Sequence, residues 1–266
     1  MIGVVCLNPA LDITHHVPAV DWTGVNRPSS VHARPGGKGL NVARTLHALG
    51  AEVLVMGLAG GINGASIDAA LGELGVPAAF TRISGETRRT FTVVDRNRGS
   101  AALFNEAGPE IGMEEFAEFR ARYAKVLAGC AAVVLSGSLP PGLPADTYAQ
   151  LIETAAAAGV PAVLDAHGEA LLRGAAVRPV IVKPNLAELE ALAGRPLATA
   201  QGVDRRAVAA AGLVHGLVLG LPWDERLRHA VALGTASAAA PVAGEFSHAD
   251  YTSVLAAVTV HREEAR

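Results

Sequence analysis

Short, predominantly apolar runs recur along this chain, separated by stretches with helical periodicity. The runs are "IGVVC" (2–6), "EVLVMG" (52–57), "AAVVLSG" (131–137), "PAVLDA" (161–166) and "PVIVK" (179–183). A strand with one wet face alternates polar and apolar residues. A run without alternation suits a strand covered on both faces, as in a parallel sheet between helices. Between the runs, "GLNVARTLHALG" (39–50) sets Leu40, Ala43, Leu46 and Leu49 on one stripe and ends at Gly50. "ADTYAQLIETAAAAG" (145–159) also ends in glycine. This repetition predicts an α/β fold with helices on both faces of a mainly parallel sheet.

Two regions break the alternation. "LDITHHVPAV" (11–20) is β-prone with period-two character, and "TRRTFTVVDRNRGSAALFNEAGP" (87–109) reads as a hairpin turning at "RNRG" (96–99). Hairpin strands inserted into a parallel α/β unit often form a flap over a ligand mouth. The expectation is one domain over 1–266, with a small β-sheet lid from inserts at about 11–35 and 87–106. The uncharged run "AVAAAGLVHGLVLGLP" (207–222) falls short of the roughly 20 residues a membrane span needs, and it contains a histidine and a proline. Its Gly212, Gly216 and Gly220 recur every four residues and predict a helix face packed closely on the sheet.

Composition narrows the partners. A net charge of −3 and a pI of about 6.3 offer nucleic acid no basic field. Cys6 and Cys130 flank apolar runs and read as buried thiols of a reducing, cytoplasmic compartment, and Met1 leads into "IGVVC" with no signal-peptide pattern. Among 22 basic residues only Lys38, Lys125 and Lys183 are lysines, and two of them sit in Gly- or Asn-containing motifs. A compact ammonium fits a tight phosphate pocket where a guanidinium fork does not. Lys125 reads as a solvated helix residue. His15 and His16 are adjacent, point to opposite sides of a strand, and make poor joint metal ligands.

Polar motifs follow the apolar runs, where α/β sheets bind ligands. The first run leads into "LNPALD", ending at Asp12. "RPGGKGLN" then supplies Gly36, Gly37, Lys38 and Asn41, "SGSLPPG" (136–142) supplies Ser138, and "KPNLAELEAL" (183–192) closes the series. Alone, each has a plain structural reading, such as a cap or a turn. The glycine loop is no nucleotide P-loop, because G-x-x-x-x-G-K-[ST] is absent. In this order the motifs resemble the ribokinase-like, PfkB-type carbohydrate kinases. Within them they resemble the hexose-phosphate branch of 1-phosphofructokinase, tagatose-6-phosphate kinase and the minor 6-phosphofructokinase. The resemblance covers residues 1 to about 200 and resumes over 220–239.

That resemblance implies a three-layer α/β/α sandwich, a lid that can pair two subunits into a homodimer, and ATP-dependent phosphorylation of a hexose phosphate. Fructose 1-phosphate is the expected acceptor. Gly36 and Gly37 would lie against the sugar, Asp12 and Asn41 would hydrogen-bond its hydroxyls, and Ser138 would face its reacting end. Lys38 and Arg88, with Arg27 as a weaker candidate, would hold the phosphate the substrate already carries. Lys183 would lie near the ATP phosphates. Asn185 and Glu188 would organise Mg²⁺ through water; the same pair also reads as a helix-capping box.

One part of the family pattern is missing. Its second signature, a Gly-Ala-Gly-Asp turn, supplies the general base and an anion hole at a helix N-terminus. No Gly-x-Gly-Asp follows Glu188; the later aspartates are Asp204, Asp224 and Asp250. Asp204 reads as starting a helix and Asp224 as an N-cap. The chain is expected to pass from the helix after "GRPL" (194–197) directly into the 207–222 helix. An internal deletion of some tens of residues would truncate the C-terminal part of the sheet. Three readings stay open: a kinase with impaired turnover, a non-catalytic sugar-phosphate-binding pseudokinase, and a sugar or nucleoside kinase of other specificity, against which Lys38 and "LNPALD" argue.

Overall fold

The computed structural model describes residues 1–194, 208–240 and 245–260. Its strands are β1 (Ile2–Cys6), β2 (Ala10–Val17), β3 (Ser30–Gly36), β4 (Val53–Ala59), β5 (Ala78–Arg82), β6 (Arg89–Asp95), β7 (Ser100–Asn105), β8 (Ala132–Ser136), β9 (Ala162–Asp165) and β10 (Ile181–Val182). Six form one sheet in the order β10-β9-β8-β1-β4-β5, and the other four form a second, smaller sheet in the order β3-β2-β6-β7. Every neighbour pair in the larger sheet is parallel. The five apolar runs all enter it. The weakly apolar "AAFTR" forms β5, a strand the pattern alone does not mark. β10 shrinks to two residues between Pro179 and Pro184, consistent with prolines having no N–H for a ladder.

The helices are α1 (Lys38–Ala48), α2 (Gly61–Glu73), α3 (Met113–Leu127), α4 (Thr147–Ala157), α5 (Gly168–Ala176), α6 (Leu186–Ala193), α7 (Val208–Val218), α8 (Trp223–Ala239) and α9 (His248–Ala257). They cover both faces, as the doubly buried strands require. β1 shows the division. Ile2, Val4 and Cys6 join Leu40, Leu46, Ile67 and Val214 in one core cluster. Val5 and Leu7 join Phe116, Phe119, Tyr123, Tyr148 and Leu151 in the other. Each fully covered large side chain contributes roughly 1.5–3 kcal/mol of transfer free energy.

Three local expectations are corrected. Gly212 packs against a helix and not the sheet: a β-carbon there would lie 2.6 Å from the backbone nitrogen of Ala230 in α8. Asp224 sits inside the first turn of α8, and Pro222 holds the N-cap position. Cys6 is buried, with its thiol pushed up to about 11 by that burial, whereas Cys130 is only partly covered. Asp204 lies outside the described residues. No helix among the described residues is long and apolar enough to cross a membrane.

The second sheet grows out of the first over a very short connection. β1 ends at Cys6 and β2 begins at Ala10, so Leu7, Asn8 and Pro9 alone join the two sheets there. The chain returns through β3 directly into α1. β2 also pairs with β6, in parallel, Asp12 lying opposite Thr90.

Candidate active site

Strand order reverses at β1. From β1 the sheet extends one way to β4 and β5, and the later strands β8, β9 and β10 build on its other side. Such a switch point leaves a crevice at the carboxyl ends of the strands, where α/β sheets take ligands. A cavity of about 970 Å³ opens there, near the upper end of the roughly 300–1,000 Å³ usual for small-molecule sites. Asn8 after β1, Gly137 and Ser138 after β8, and His167 to Ala170 after β9 form part of its wall. Thr90, Leu103, Asn105 and Glu106 of the second sheet form another part.

Six of the seven residues expected at the sugar come together in this cavity: Asp12, Gly37, Lys38, Asn41, Arg88 and Ser138 all line it. Gly36 does not line it. A β-carbon at Gly36 would lie 2.0 Å from Cγ of Asp12, so the missing side chain makes room for that carboxylate. Gly37 has φ of 99°, a conformation that suits glycine, and it turns the chain into α1. Arg27 is exposed and lies outside the cavity lining.

Arg88 is held by the joint between the sheets. Its Nε donates to the Asn8 carbonyl and its Nη1 to the Glu106 carbonyl, each at 3.2 Å. The remaining guanidinium donors are available for an anion. Asn8 fixes the same joint from the other side: its Nδ2 donates to the Ala107 carbonyl at 2.9 Å and to Ser138 Oγ at 3.1 Å. Burial raises the Asp12 carboxyl above the usual range, while Thr90 and the guanidiniums of Arg34, Arg88 and Arg44 favour its charged form.

Lys38 and Lys183 meet on a residue the motifs did not single out. Asp165, at the end of β9, is fully buried and faces Lys183 Nζ at 3.4 Å and Lys38 Nζ at 3.8 Å. Burial pushes its carboxyl up, and the two ammoniums, Lys183 first, pull it back. A carboxylate ending an apolar run was the available signal, because a buried charge calls for a partner. Asn8, Thr90 and His167 were likewise not singled out, since none carries a charge pattern by itself.

Lys183, Asn185 and Glu188 stand apart from the cavity lining. Asn185 Oδ1 accepts from the Glu188 backbone N–H at 3.0 Å, and Glu188 Oε2 accepts from that of Asn185 at 2.8 Å. This reciprocal pair starts α6. Among the described residues no cluster of three or more His, Cys, Asp or Glu could cage a metal. Two oxygen-bearing side chains still fit Mg²⁺, which keeps most of its water and takes one or two carboxylates plus substrate phosphates.

A parallel sheet between helix layers, with a second sheet over a polar cavity at the switch point, defines a ribokinase-like small-molecule-binding protein. The sequence profile of the pfkB family carbohydrate kinases matches residues 5–210. The chain belongs to the pfkB family of carbohydrate kinases. It is similar to phosphofructokinase-2 from Escherichia coli in complex with fructose-6-phosphate, with 25% identity, a TM-score of 0.87, and coverage of 96% of this chain and 98% of that one. The tetrameric inhibited form of the same enzyme gives the same four values. A possible 1-phosphofructokinase from Thermotoga maritima shares the fold at 23% identity and a TM-score of 0.86, covering 99% of this chain and 100% of that one.

Proposed function

We propose that this chain binds a hexose phosphate, fructose 1-phosphate first among candidates, in the cavity between the two sheets. The observation that carries this reading is the convergence of Lys38 and Arg88 with Asp12, Asn41 and Ser138 around one cavity. Two cations suit a phosphate the acceptor already bears, and a carboxylate and an amide suit sugar hydroxyls. The second sheet acts as the lid of one domain spanning 1–266. Val31 and Phe104 are exposed on the face of that sheet away from the cavity and favour pairing of two subunits there.

ATP is the proposed phosphoryl donor, with Lys183 toward its phosphates. Asn185 and Glu188 would hold Mg²⁺ through water, and the ion would neutralise charge on the transferring phosphoryl group. Transfer by this chain is slow. No Gly-x-Gly-Asp follows Glu188, and loss of a general base costs about 10²–10⁴ in rate. Asp165 is no substitute, because its carboxyl is fully buried and turned to two lysines. The same absent turn favours the second reading, a sugar-phosphate binder without turnover.

Calorimetry on Lys38→Ala tests the binding assignment. Affinity for fructose 1-phosphate should fall far more than affinity for free fructose, and equal losses would place Lys38 elsewhere. Single-turnover transfer from ATP, with the intact mass verified, separates the two readings. A slow but Mg²⁺-dependent rate supports the kinase, and no transfer supports the binder. A rate on the order of the 1–100 s⁻¹ typical of kinases would mean a base other than the family's turn. Loss of that rate in Asp204→Asn would identify it.

A further inference from the structure

Asp165 serves two ammonium groups with one oxygen. Oδ1 lies 3.4 Å from Lys183 Nζ and 3.8 Å from Lys38 Nζ. Oδ2 accepts from Ser136 Oγ at 3.3 Å, so the carboxylate cannot turn to give each lysine its own oxygen without losing that bond. The lysines come from different elements, the start of α1 and the residue after β10. They also differ in freedom: the Lys38 side chain is 36% exposed and that of Lys183 only 9%. A charge with no exposed surface must keep a partner, so Asp165 cannot release both lysines at once.

We infer that Asp165 makes the phosphosugar and nucleotide sites antagonistic, because they compete through the lysine each draws from the shared carboxylate. This rests on the assignment of Lys38 to the sugar phosphate and Lys183 to the nucleotide. A phosphate that draws Lys38 into the cavity leaves the carboxylate's whole attraction on Lys183. That ammonium is then held back from the nucleotide. Screening is weak at a buried charge, so the exchange is felt across the few ångströms involved. Linkage makes the effect reciprocal: a nucleotide that engages Lys183 tightens Asp165 on Lys38. The looser and more exposed contact, at Lys38, yields first.

The test uses binding alone, with ADP as an unreactive nucleotide and the full chain throughout. Calorimetry should show fructose 1-phosphate and ADP each weakening the other by about tenfold, within the usual range of coupling between sites. Lys38→Met should weaken ADP by a similar factor with no sugar present. Asp165→Asn should abolish the antagonism, and Lys38→Met should then have no effect on ADP. Plain repulsion between the ligands' phosphates, or the lost field of one lysine, would persist in the Asp165→Asn background and overturn the inference. So would an absence of antagonism in the wild type.

Where Asp165→Asn does not fold, carbon-13 labelling of lysine in the wild type gives the second measurement. Fructose 1-phosphate should move the Lys183 signal and leave Lys125 in place; an unmoved Lys183 overturns the coupling. The parent assignment is read separately. Lys38→Met that loses phosphosugar binding but keeps its ADP affinity defeats the coupling and spares the function. Lys38→Met with unchanged phosphosugar binding defeats both.

Discussion

Replacing Gly36 with alanine should damage ligand binding more than folding. The new β-carbon would lie 2.0 Å from Cγ and Oδ2 of Asp12 and 2.3 Å from its Oδ1. Gly36 is not among the glycines with positive φ, so alanine meets no backbone penalty there. The clash falls on the end of a short side chain, which can swing away. Holding Asp12 off its rotamer costs about 0.5–1.5 kcal/mol, and the urea midpoint should shift correspondingly little. The ligand loses more. A hydrogen bond to a charged group is worth about 1.5–3 kcal/mol, which is about 10–150-fold in Kd. Calorimetry with fructose 1-phosphate reads that loss directly. In an Asp12→Ala background the clash partner is gone, so Gly36→Ala should add almost nothing, a coupling that a double-mutant cycle isolates. Equal losses in both backgrounds would refute the explanation of Gly36.

Other expectations follow from single contacts. Gly212→Val drives a side chain into the backbone of Ala230 and His229; overpacking of this kind costs about 1–3 kcal/mol, to be read from urea unfolding with ligand binding measured alongside. Asp95 accepts from the backbone N–H of Val20 at 2.9 Å and of Arg98 at 3.0 Å, and these bonds hold its carboxyl below the usual range. That contribution is complete above the unfolded value of about 3.9 and is lost as pH falls through the lower folded value. The gap in Tm between wild type and Asp95→Asn should therefore be open at neutral pH and close in strong acid; a constant gap refutes it. Asn185→Ala removes one half of the α6 capping box and should cost about 1 kcal/mol in the unfolding free energy.

Most of the central sheet was legible because burial on both faces erases alternation; the fifth run is the exception, forming the edge strand β10 with Val180 exposed. β5 escaped because alanines supply little apolar signal. Asp12, Lys38, Arg88 and Ser138 were found as motif members, and their meeting in one cavity depends on strand order, which no local pattern records. Asp165 shows the other limit. Its importance lies in two lysines that are 127 and 18 residues away in sequence, so only the folded chain reveals the partnership. The partner of the Gly212 face was misread for a similar reason: spacing shows that something packs closely, and says nothing of whether it is a strand or a helix.

The scarcity of lysine turns the Asp165 cluster into its own reporter. Acylation of the folded chain has few amines to reach: the N-terminus, the exposed Lys125, the partly open Lys38 and the covered Lys183. Digestion and mass spectrometry would resolve all four without isotopic labelling or a mutation. Lys125 reports reagent dose, and Lys38 and Lys183 report the site. Protection of Lys38 relative to Lys125 then becomes a direct occupancy measurement, applicable to any sugar phosphate in a mixture and to protein too dilute for calorimetry.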